Sequence, residues 1–438
     1  MTFVSIIIAV VMLSVLVIIH EYGHFLIARK NGIFVKEFSV GFGPRIISRV
    51  AKSGTRYSWK AIPFGGSCTM LGALEDEDDN TDDERSFDKK SVWARMSVVL
   101  AGPVFNFFLA LVLSFIYIAC AGYDPAVVTY VQEGSPAYEA GLREGDVITH
   151  YNKASISFGR EIYLENYIHP ADEGDVIRLT YIRDDEKHTI SVSPAEYTYY
   201  AAGFSYYSNE EPAEIAEVSE GGAFEEAGLK SGDIITSVNG ISVATGSDLE
   251  QYFSDHPLDA SALTVTYMHR GAEMQTVVYP VETKAFRLGF SYNMHNVRAN
   301  ALETIKYSFA ELKYEITSVY KSIGILFSNR GSLDMLSGPV GIVEVISDTY
   351  TSTASYGFMT VLMSLISLMS LLSVNLGVIN LLPIPALDGG KFILLIIEAI
   401  ARKPVPKKYE GIITVIGASL MLVLMVVVLV NDVTKLFR

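Results

Sequence analysis

Charged residues and cysteines are both scarce in this sequence. Of its 438 residues, 19% are charged, and Cys68 and Cys120 are its two cysteines. Two cysteines that each lie beside an apolar segment do not indicate a disulfide framework, because a free cysteine there behaves as a small apolar residue. Basic residues are also in deficit, since 34 Lys and Arg face 49 Asp and Glu, for a net charge of −15. That balance excludes the basic surface on which a nucleic-acid-binding protein depends.

Apolar residues are abundant instead, and they are grouped. A hydrophobic fraction of 50% excludes a disordered chain, and a mean hydropathy of +0.30 is typical of a protein that is partly embedded in a membrane. Four apolar runs approach the ~20 residues with which a helix crosses a bilayer. They are residues 3–27, 92–121, 358–382 and 412–430. The sequence therefore predicts four spans, with a soluble segment inserted between the second and the third.

The distribution of Lys and Arg predicts the orientation of these spans. Basic residues collect in short loops at the cytoplasmic ends of spans. Here they collect after the first span and before the fourth, which predicts that both termini and the soluble segment are extracytoplasmic. No basic residue precedes the first run and no cleavage pattern follows it, so we interpret it as a retained span. The acidic run from Glu75 to Glu84 is expected to be a solvated loop.

The soluble segment contains an internal repeat. Residues 134–148 recur as residues 221–235, at an offset of 221 − 134 = 87, and a Gly-Phe-Ser-Tyr string at 203–206 recurs at 289–292. Two tandem copies of one small α+β domain are predicted, at residues 126–207 and 208–293. Each copy resembles the PDZ domain in the permuted arrangement of bacterial envelope proteases. Gly203 and Phe204, with Gly289 and Phe290, are candidate carboxylate-binding loops, and ordinary strand starts are an equally good interpretation.

Residues 300–356 are expected to form an amphipathic helix and a linker. Apolar residues recur every three or four positions from Leu302 to Leu326, with Lys and Glu between them. The helix is too polar to span a membrane. We expect it to lie at the outer membrane interface or to pack on the soluble domains.

A motif near the end of the first span carries metal-binding chemistry. His20 and His24 are four residues apart and share one face of a helix, with Glu21 beside them. Two imidazoles and a carboxylate suit zinc, with a fourth position left for water and Glu21 as general base. Such a motif also occurs by chance in soluble helices, but ionisable groups at membrane depth are costly and are rarely retained without a role. The 20 − 3 = 17 residues from Phe3 to His20 cover ~26 Å of helix, which predicts a site toward the cytoplasmic side.

The third ligand is expected from another span at the same depth. The third run ends in Asn-Leu-Leu-Pro-Ile-Pro-Ala-Leu-Asp-Gly-Gly at residues 380–390, where two prolines break the helix. Exposed backbone is tolerated at that depth only where protein or a water-filled cavity satisfies it. The third span also runs from outside to inside, so Asp388 reaches the depth of His24. We predict Asp388 as the ligand, with Glu398 as the rival carboxylate.

These residues together resemble the bacterial site-2 protease family of regulated intramembrane zinc proteases, over nearly the whole chain. The matching segments are residues 20–24, 41–44, 63–66, 101–107, 337–341 and 380–390. The resemblance implies that His20, His24 and Asp388 bind zinc and that Glu21 is the catalytic base. It also implies that Asn375 and Asn380 hold the substrate; hydrogen bonds between helices are the alternative explanation for two amides in a span.

The resemblance implies an α-helical membrane protein with four transmembrane helices, a membrane-reentrant β-hairpin region on the cytoplasmic side, and two tandem extracytoplasmic PDZ-like domains. The edge of the reentrant region would pair with an extended substrate. Outside the segments already given, the predicted boundaries are 1–28 for the first span, 29–91 for the reentrant region and acidic loop, 92–121 for the second span, 357–390 for the third span with its broken end, 391–408 for a short interfacial helix and loop, and 409–431 for the fourth span.

The implied activity is that of a zinc metalloendopeptidase in the bacterial cytoplasmic membrane. Its expected partners are the lipid bilayer and single-span membrane proteins, such as anti-sigma factors or signal-peptide remnants already shortened outside by another protease. The oligomeric state stays open. Two other functions also stay open: a membrane metal transporter, which places His and carboxylates in its spans, and an inactive scaffold that binds through its PDZ-like domains.

Overall fold

The computed structural model describes residues 3–73, 83–208, 211–328 and 336–436. The chain forms two compact units. The helical unit contains the residues up to Asp124 and those from His295 onward, and the soluble unit is Pro125–Met294. Most of the acidic run from Glu75 to Glu84 lies outside the described residues.

The helical unit contains the long helices and two long strands, and the soluble unit contains short helices and short strands. The helices are α1 (Phe3–Lys30), α2 (Val92–Ala121), α3 (Pro136–Glu139), α4 (Gly159–Ile168), α5 (Ala223–Glu226), α6 (Gly246–Asp255), α7 (Ala301–Leu326), α8 (Pro339–Ala354), α9 (Phe358–Leu381), α10 (Asp388–Ala401) and α11 (Lys407–Leu436). The strands are β1 (Val35–Val50), β2 (Arg56–Met70), β3 (Val128–Val131), β4 (Val147–Tyr151), β5 (Ala154–Ser155), β6 (Ile177–Arg183), β7 (Glu186–Val192), β8 (Ala195–Ala201), β9 (Phe204–Tyr206), β10 (Ile215–Val218), β11 (Ile234–Val238), β12 (Ile241–Ser242), β13 (Leu263–His269), β14 (Ala272–Val278), β15 (Val281–Arg287) and β16 (Phe290–Tyr292).

Four helices of the described part of the chain are long and apolar enough to cross a membrane. Their bounds are Phe3–Lys30, Val92–Ala121, Phe358–Leu381 and Lys408–Asp432. Helices α1, α2 and α9 pack closely because glycines lie where they meet. A Cβ atom on Gly23 would stand 2.4 Å from the carbonyl oxygen of Ala101, and one on Gly377 would stand 2.8 Å from the ring of Phe107. A side chain at either position would force the helices apart.

Helix α7 lies against α2 and α9, which differs from the location expected at an interface or on the soluble domains. Its Tyr307 stacks on Tyr123 just beyond the end of α2, with ring centroids 3.7 Å apart. Further along α7, Ser370 of α9 donates a hydrogen bond of 2.9 Å to Glu315, which is buried. Phe309, in contrast, is 59% exposed. The helix therefore buries much of its polar face against other helices. The 3.6-residue periodicity alone does not show which face of the helix is buried.

The segment expected to be a linker after α7 contains a further helix, α8. Ile346 of α8 packs on Ala9 and Met12 of α1, and the hydroxyls of Ser5 and Ser347 lie 2.9 Å apart. The carboxylate of Asp432, near the end of α11, accepts hydrogen bonds from the backbone of Gly338 and Gly341 at 3.1 and 2.9 Å. A buried carboxylate at a helix N-terminus satisfies free N–H groups and complements the helix dipole. The helix therefore begins where a carboxylate from a distant part of the sequence caps it.

Strands β1 and β2 fold into four antiparallel segments. Residues 37–40 pair with 66–69 on one side and with 56–59 on the other, and residues 45–50 pair with 56–60. The chain bends between segments at Gly41 and Gly65, whose φ angles are 86° and 89°. Glu37 holds the segments together, because it accepts two hydrogen bonds from Arg45, at 2.8 and 2.9 Å, and one from Ser58. The Arg45 guanidinium outweighs burial and lowers the pKa of Glu37 to about 2.

The soluble unit contains two modules of the same design. The first module has a sheet of order β5-β4-β6-β7 with helix α4, and the second has a sheet of order β12-β11-β13-β14 with helix α6. The repeated Gly-Asp turn plays the same part in both. Buried Asp146 accepts from Arg183 at 2.7 Å, and buried Asp233 pairs with His269 at 2.6 Å. The internal repeat in the sequence is thus a repeat of structure.

The boundary predicted between residues 207 and 208 is wrong, because the two modules exchange strands. Strand β9, which contains Phe204, pairs with β10 and packs on the core of the second module. Strand β16, which contains Phe290, pairs with β3 and packs on the core of the first. Between them, β8 and β15 form an antiparallel ribbon. The Gly-Phe string of each sequence repeat therefore joins the core of the other module. As a result, the second module is inserted into the first.

Helix α10 is anchored by a largely enclosed ion pair. It begins at Asp388 and not at residue 391 as predicted, and ten residues later it carries Glu398. The guanidinium of Arg95 in α2 donates to both carboxylate oxygens of Glu398, and the Nη1–Oε2 bond measures 3.1 Å. The two side chains are 13% and 15% exposed. This two-bond contact fixes the direction in which α10 leaves Asp388.

The strand exchange predicts where a core substitution will act. Phe290→Ala should loosen the first module, because it removes a ring from that module's core at a cost of up to about 3 kcal/mol. Hydrogen exchange of the full chain should then rise in β4, β6 and β7. Phe204→Ala is the matched control and should raise exchange in β11, β13 and β14. If Phe290→Ala instead raised hydrogen exchange in β11, β13 and β14, that result would contradict the exchange of strands between the modules.

The ion pair predicts a non-additive pair of substitutions. Arg95→Leu should lower the stability of the helical unit by up to about 3 kcal/mol, because it leaves the Glu398 carboxylate unpaired. Adding Glu398→Leu should recover most of that loss. Thermal unfolding of the single and double variants in detergent measures both effects. A double variant less stable than Arg95→Leu would contradict the role of the pair.

Candidate metal centre

A break between α9 and α10 positions Asp388. Helix α9 ends at Leu381, and α10 begins at Asp388 itself. The break packs tightly on the start of α10, because a Cβ on Gly389 would stand 2.2 Å from the carbonyl oxygen of Leu382. Ala386, two residues before Asp388, has a φ of 79°, which is strained for a residue with a side chain. Such strain is typical of functional sites, and the positive end of α10 favours a charged carboxylate there.

Helix α1 presents both histidines toward α2, where a glycine leaves room for them. A Cβ on Gly102 would stand 2.4 Å from Nε2 of His24 and 2.7 Å from Nε2 of His20. Any side chain at this position would enter the space of the imidazoles. His20 and His24 are themselves 7% and 8% exposed. The Ala-Gly-Pro segment of α2 thus forms one wall of the site.

Three ligand atoms from two separate helices converge. Nε2 of His20 and Nε2 of His24 lie 3.3 Å apart, and Oδ2 of Asp388 lies 3.1 Å from the first and 3.3 Å from the second. In the part of the chain that the structure describes, these three residues are the one group with metal-ligating geometry. Glu398, the rival carboxylate, is bound to Arg95 instead.

The triangle has the size that zinc requires. Tetrahedral zinc with bonds of about 2.0–2.1 Å holds its ligand atoms ~3.3–3.4 Å apart. The three observed separations of 3.1–3.3 Å approach this spacing. Nitrogen and carboxylate oxygen are also the ligand types that zinc accepts, and three protein ligands leave a fourth position open, as in catalytic sites.

The hydrogen bond of His24 fixes which nitrogen faces the metal position. Its Nδ1 lies 2.8 Å from the carbonyl oxygen of Val98, which can only accept. Nδ1 of His24 must therefore carry the hydrogen, and the lone pair of Nε2 points into the triangle. The corresponding Nδ1 of His20 lies 3.3 Å from Nδ2 of Asn106. Partners of this kind orient ligating histidines in metal sites.

A cavity of about 360 Å³ opens onto the three ligands. The residues that line it are His20, Glu21, His24, Gly66, Ser67, Cys68, Thr69, Met70, Ala73, Phe87, Val98, Val99, Asn380, Ala386, Leu387, Asp388 and Lys391. Glu21, the predicted base, and Asn380 are therefore brought to the site. Asn375 is not among the lining residues, and its side chain is half-buried elsewhere on α9.

One wall of this cavity is a strand segment. Residues 66–70 of β2 pair with β1 along one edge. Gly66 lies beside the base, since a Cβ there would stand 3.4 Å from Cγ of Glu21. Cys68 lines the same wall, and burial raises the pKa of its thiol to about 12, which keeps it protonated at neutral pH.

The Gly-Phe strings of the soluble unit have different surroundings. Gly289 and Phe290 line a cavity of about 610 Å³ together with Lys284, Arg287 and Asn166. Phe204, in contrast, stacks on Phe224 with ring centroids 3.8 Å apart.

Sequence reasoning missed three features of the centre: Gly102, the carbonyl of Val98 and Asn106. In the sequence, Gly102 and Asn106 stand out only as parts of a segment that resembles the family. A polar residue in the middle of an apolar span is a signal that would have singled out Asn106. The carbonyl of Val98 has no sequence signal, because every residue has one.

Comparisons with known proteins identify the family of this chain. The model of peptidase family M50 matches residues 8–424. A Vibrio cholerae protein provisionally named a zinc metalloprotease is 30% identical over 98% of this chain and 98% of its own length. The zinc metalloproteases RasP of Shouchella clausii and of Bacillus licheniformis are each 28% identical, over 97% and 98% of both chains.

A solved structure also aligns with part of the chain. The PDZ domain of HtrA3 bound to a phage-derived ligand covers 21% of this chain and 93% of its own, at 16% identity and a TM-score of 0.18. The family match, in contrast, extends over residues 8–424, a range that contains His20, His24 and Asp388. The chain therefore belongs to peptidase family M50 and is a zinc metalloprotease of the site-2 type.

Proposed function

We propose that this protease hydrolyses a peptide bond within, or near the cytoplasmic end of, the transmembrane segment of a single-span membrane protein. The observation that carries the proposal is the meeting of His20, Glu21, His24 and Asp388 in one cavity between apolar helices. Four apolar helices in a chain of this family fit a bacterial inner membrane protein. The basic loops support an extracytoplasmic soluble unit and a site toward the cytoplasm.

The chemistry divides among the residues of the cavity. His20, His24 and Asp388 would hold zinc, which when bound supplies a Lewis acid that polarises the peptide carbonyl. The carboxylate of Glu21 accepts a proton from the attacking water and passes it to the leaving amine. His20 and His24 are 7% and 8% exposed, so charges at this site interact more strongly than they would in bulk water.

The strand wall is proposed to hold the substrate in an extended form. A transmembrane helix engages its own carbonyls, so it must unwind before a peptide bond can be attacked. An extended chain can add to the edge of residues 66–70, with backbone hydrogen bonds that do not depend on sequence. Because Gly66 lies beside Glu21, pairing there brings the peptide bond to the base.

The two asparagines of α9 are proposed to contribute unequally. Asn380 lines the cavity, although its Nδ2 already donates to the carbonyl of Leu376 at 3.0 Å. Its Oδ1 can accept a hydrogen bond from an unwound substrate. Asn375 lies 380 − 375 = 5 residues earlier and outside the lining, so we propose a contact with the substrate farther from the scissile bond.

The soluble unit is proposed to select substrates. Its modules would act as PDZ-like domains, and the cavity beside Gly289 and Phe290 is the better candidate groove for a newly formed C-terminus. Lys284 and Arg287 line that cavity and complement a carboxylate. The alternative is selection by size, in which a substrate is admitted once its outer domain has been removed.

Glu21→Gln is expected to lower cleavage by about 10²–10⁴-fold, because the amide cannot accept the proton. Bound zinc should stay near one equivalent, since the three ligands are intact. Cleavage of a single-span model substrate in liposomes and the zinc content of the same sample measure both. Asp388→Ala should lose both, whereas Asp348→Asn, which changes an exposed carboxylate of α8, is the control that should keep both.

This experiment also tests the other functions. Retained cleavage by the Glu21→Gln variant would refute the proposed base. Zinc uptake into sealed liposomes without cleavage of any substrate would indicate a transporter. Zinc binding with neither uptake nor cleavage would indicate a scaffold.

Pairing of the substrate with the strand wall predicts a disulfide. In a Glu21→Gln, Cys120→Ala background, a cysteine placed beside the scissile bond of the substrate should couple to Cys68 under oxidising conditions. The reaction should accelerate as the pH rises above neutral. Burial keeps the Cys68 thiol protonated at neutral pH, and the thiolate is the reactive form. Gel mobility measures the product, and a Cys68→Ala variant is the control. Equal coupling of cysteines placed ten residues from that bond would contradict the pairing.

A further inference from the structure

Asn106 occupies an unusual position in the middle of α2. Its side chain is completely buried, with 0% exposed. Nδ2 of its amide lies 3.3 Å from Nδ1 of His20. Its Oδ1 is buried and has no hydrogen-bond partner among the described residues. A buried amide oxygen without a donor is destabilising, so its retention in an apolar helix needs an explanation.

The chemistry of His20 supplies that reason. A neutral imidazole that gives the lone pair of Nε2 to a metal carries its hydrogen on Nδ1, and Nδ1 then needs an acceptor. His24 meets this requirement through the carbonyl of Val98 at 2.8 Å. For His20, the group within reach is the Asn106 amide. An amide contains both a donor and an acceptor, and a rotation of 180° about the Cβ–Cγ bond exchanges them.

We infer that Asn106 is a positioning residue of the zinc site, and that its Oδ1 accepts the Nδ1 hydrogen of His20 when the metal is bound. The inference rests on the zinc site of the proposed function. In this arrangement, the unpartnered oxygen of Asn106 becomes the acceptor that orients His20. The two histidines are then held by acceptors of different kinds, one a backbone carbonyl and the other a side chain that can be replaced.

In the part of the chain that the structure describes, the other hydrogen-bond partners of His20 are Asp388 and His24, and both contact its Nε2. The backbone carbonyl of Asn106 itself accepts from Ser373 at 2.8 Å, which fixes the residue between α2 and α9. Gly102, one turn away, has no side chain. The acceptor is therefore held by two helices, and its position does not depend on the mobility of a loop.

Asn106→Leu removes the acceptor with little change in volume and should weaken zinc binding by about 10–100-fold. Asn106→Asp keeps an acceptor and should bind zinc at least as tightly as the wild type, because a carboxylate accepts the hydrogen more strongly. The measurement is the zinc dissociation constant of the purified full-length protein, obtained by competition with a metal buffer, so it needs no activity. Ser114→Ala is the matched control, because it removes another buried polar group from α2 and should leave zinc affinity unchanged.

The two variants make the inference falsifiable even if one folds poorly. Unchanged zinc affinity in Asn106→Leu would overturn it. An Asn106→Asp variant that binds zinc 10-fold or more weakly than the wild type would overturn it as well, because an acceptor alone would not suffice. Failure of the wild type to bind zinc, or retention of zinc by His24→Ala, would instead refute the proposed zinc site.

Discussion

The structure depends on bringing three ligand atoms from two distant parts of the chain to within 3.3 Å of one another. His20 and His24 approach together because they share one helix face. Asp388 approaches only because α9 ends, the chain bends, and α10 begins at that residue. Much of the helical unit can be understood as support for that convergence. Gly23 and Gly102 let α1 and α2 touch, and Arg95 holds α10 through Glu398.

The same constraint explains why polar groups are so numerous in an apolar unit. A metal position inside a membrane protein needs ligands, acceptors for the ligands and a wall for the substrate, and each adds polar atoms that must be satisfied. Val98 and Asn106 lie on the α2 side of the histidines. The strand segment 66–70 provides the wall on which an extended chain can lie. If any one of these polar groups were removed, the groups that it contacts would stay buried without that partner.

The sequence predicted which residues meet in this cavity far better than it predicted the packing around them. His20, Glu21, His24 and Asp388 stand out in the sequence because helical spacing, proline breaks and the cost of buried charge are all local signals. Local signals cannot decide between two locations of a helix when both fit the same spacing of apolar residues. The amphipathic pattern of α7 is equally compatible with an interface and with the flank of α2, and only contacts such as that of Glu315 with Ser370 decide between them.

The strand exchange was missed for a similar reason. Repeats reveal that two copies exist but not which copy each repeated string joins, and β8 pairs with β15, 281 − 201 = 80 residues apart at its nearest register. Asn106 belongs to a segment that resembles the family, yet the significance of its position depends on a 3.3 Å contact between its amide in α2 and His20 in α1. The separation of Asn375 from the cavity likewise required the position of every helix around it.

The distance along the chain between the ligands has a temporal consequence. Asp388 follows His24 by 388 − 24 = 364 residues. A ribosome that adds about 5–20 residues per second needs roughly 20–70 s to make that interval. During this time the newly inserted α1 offers two imidazoles without their carboxylate partner. The three residues are therefore not all present until the chain has been synthesised at least as far as Asp388, and cleavage cannot begin before then.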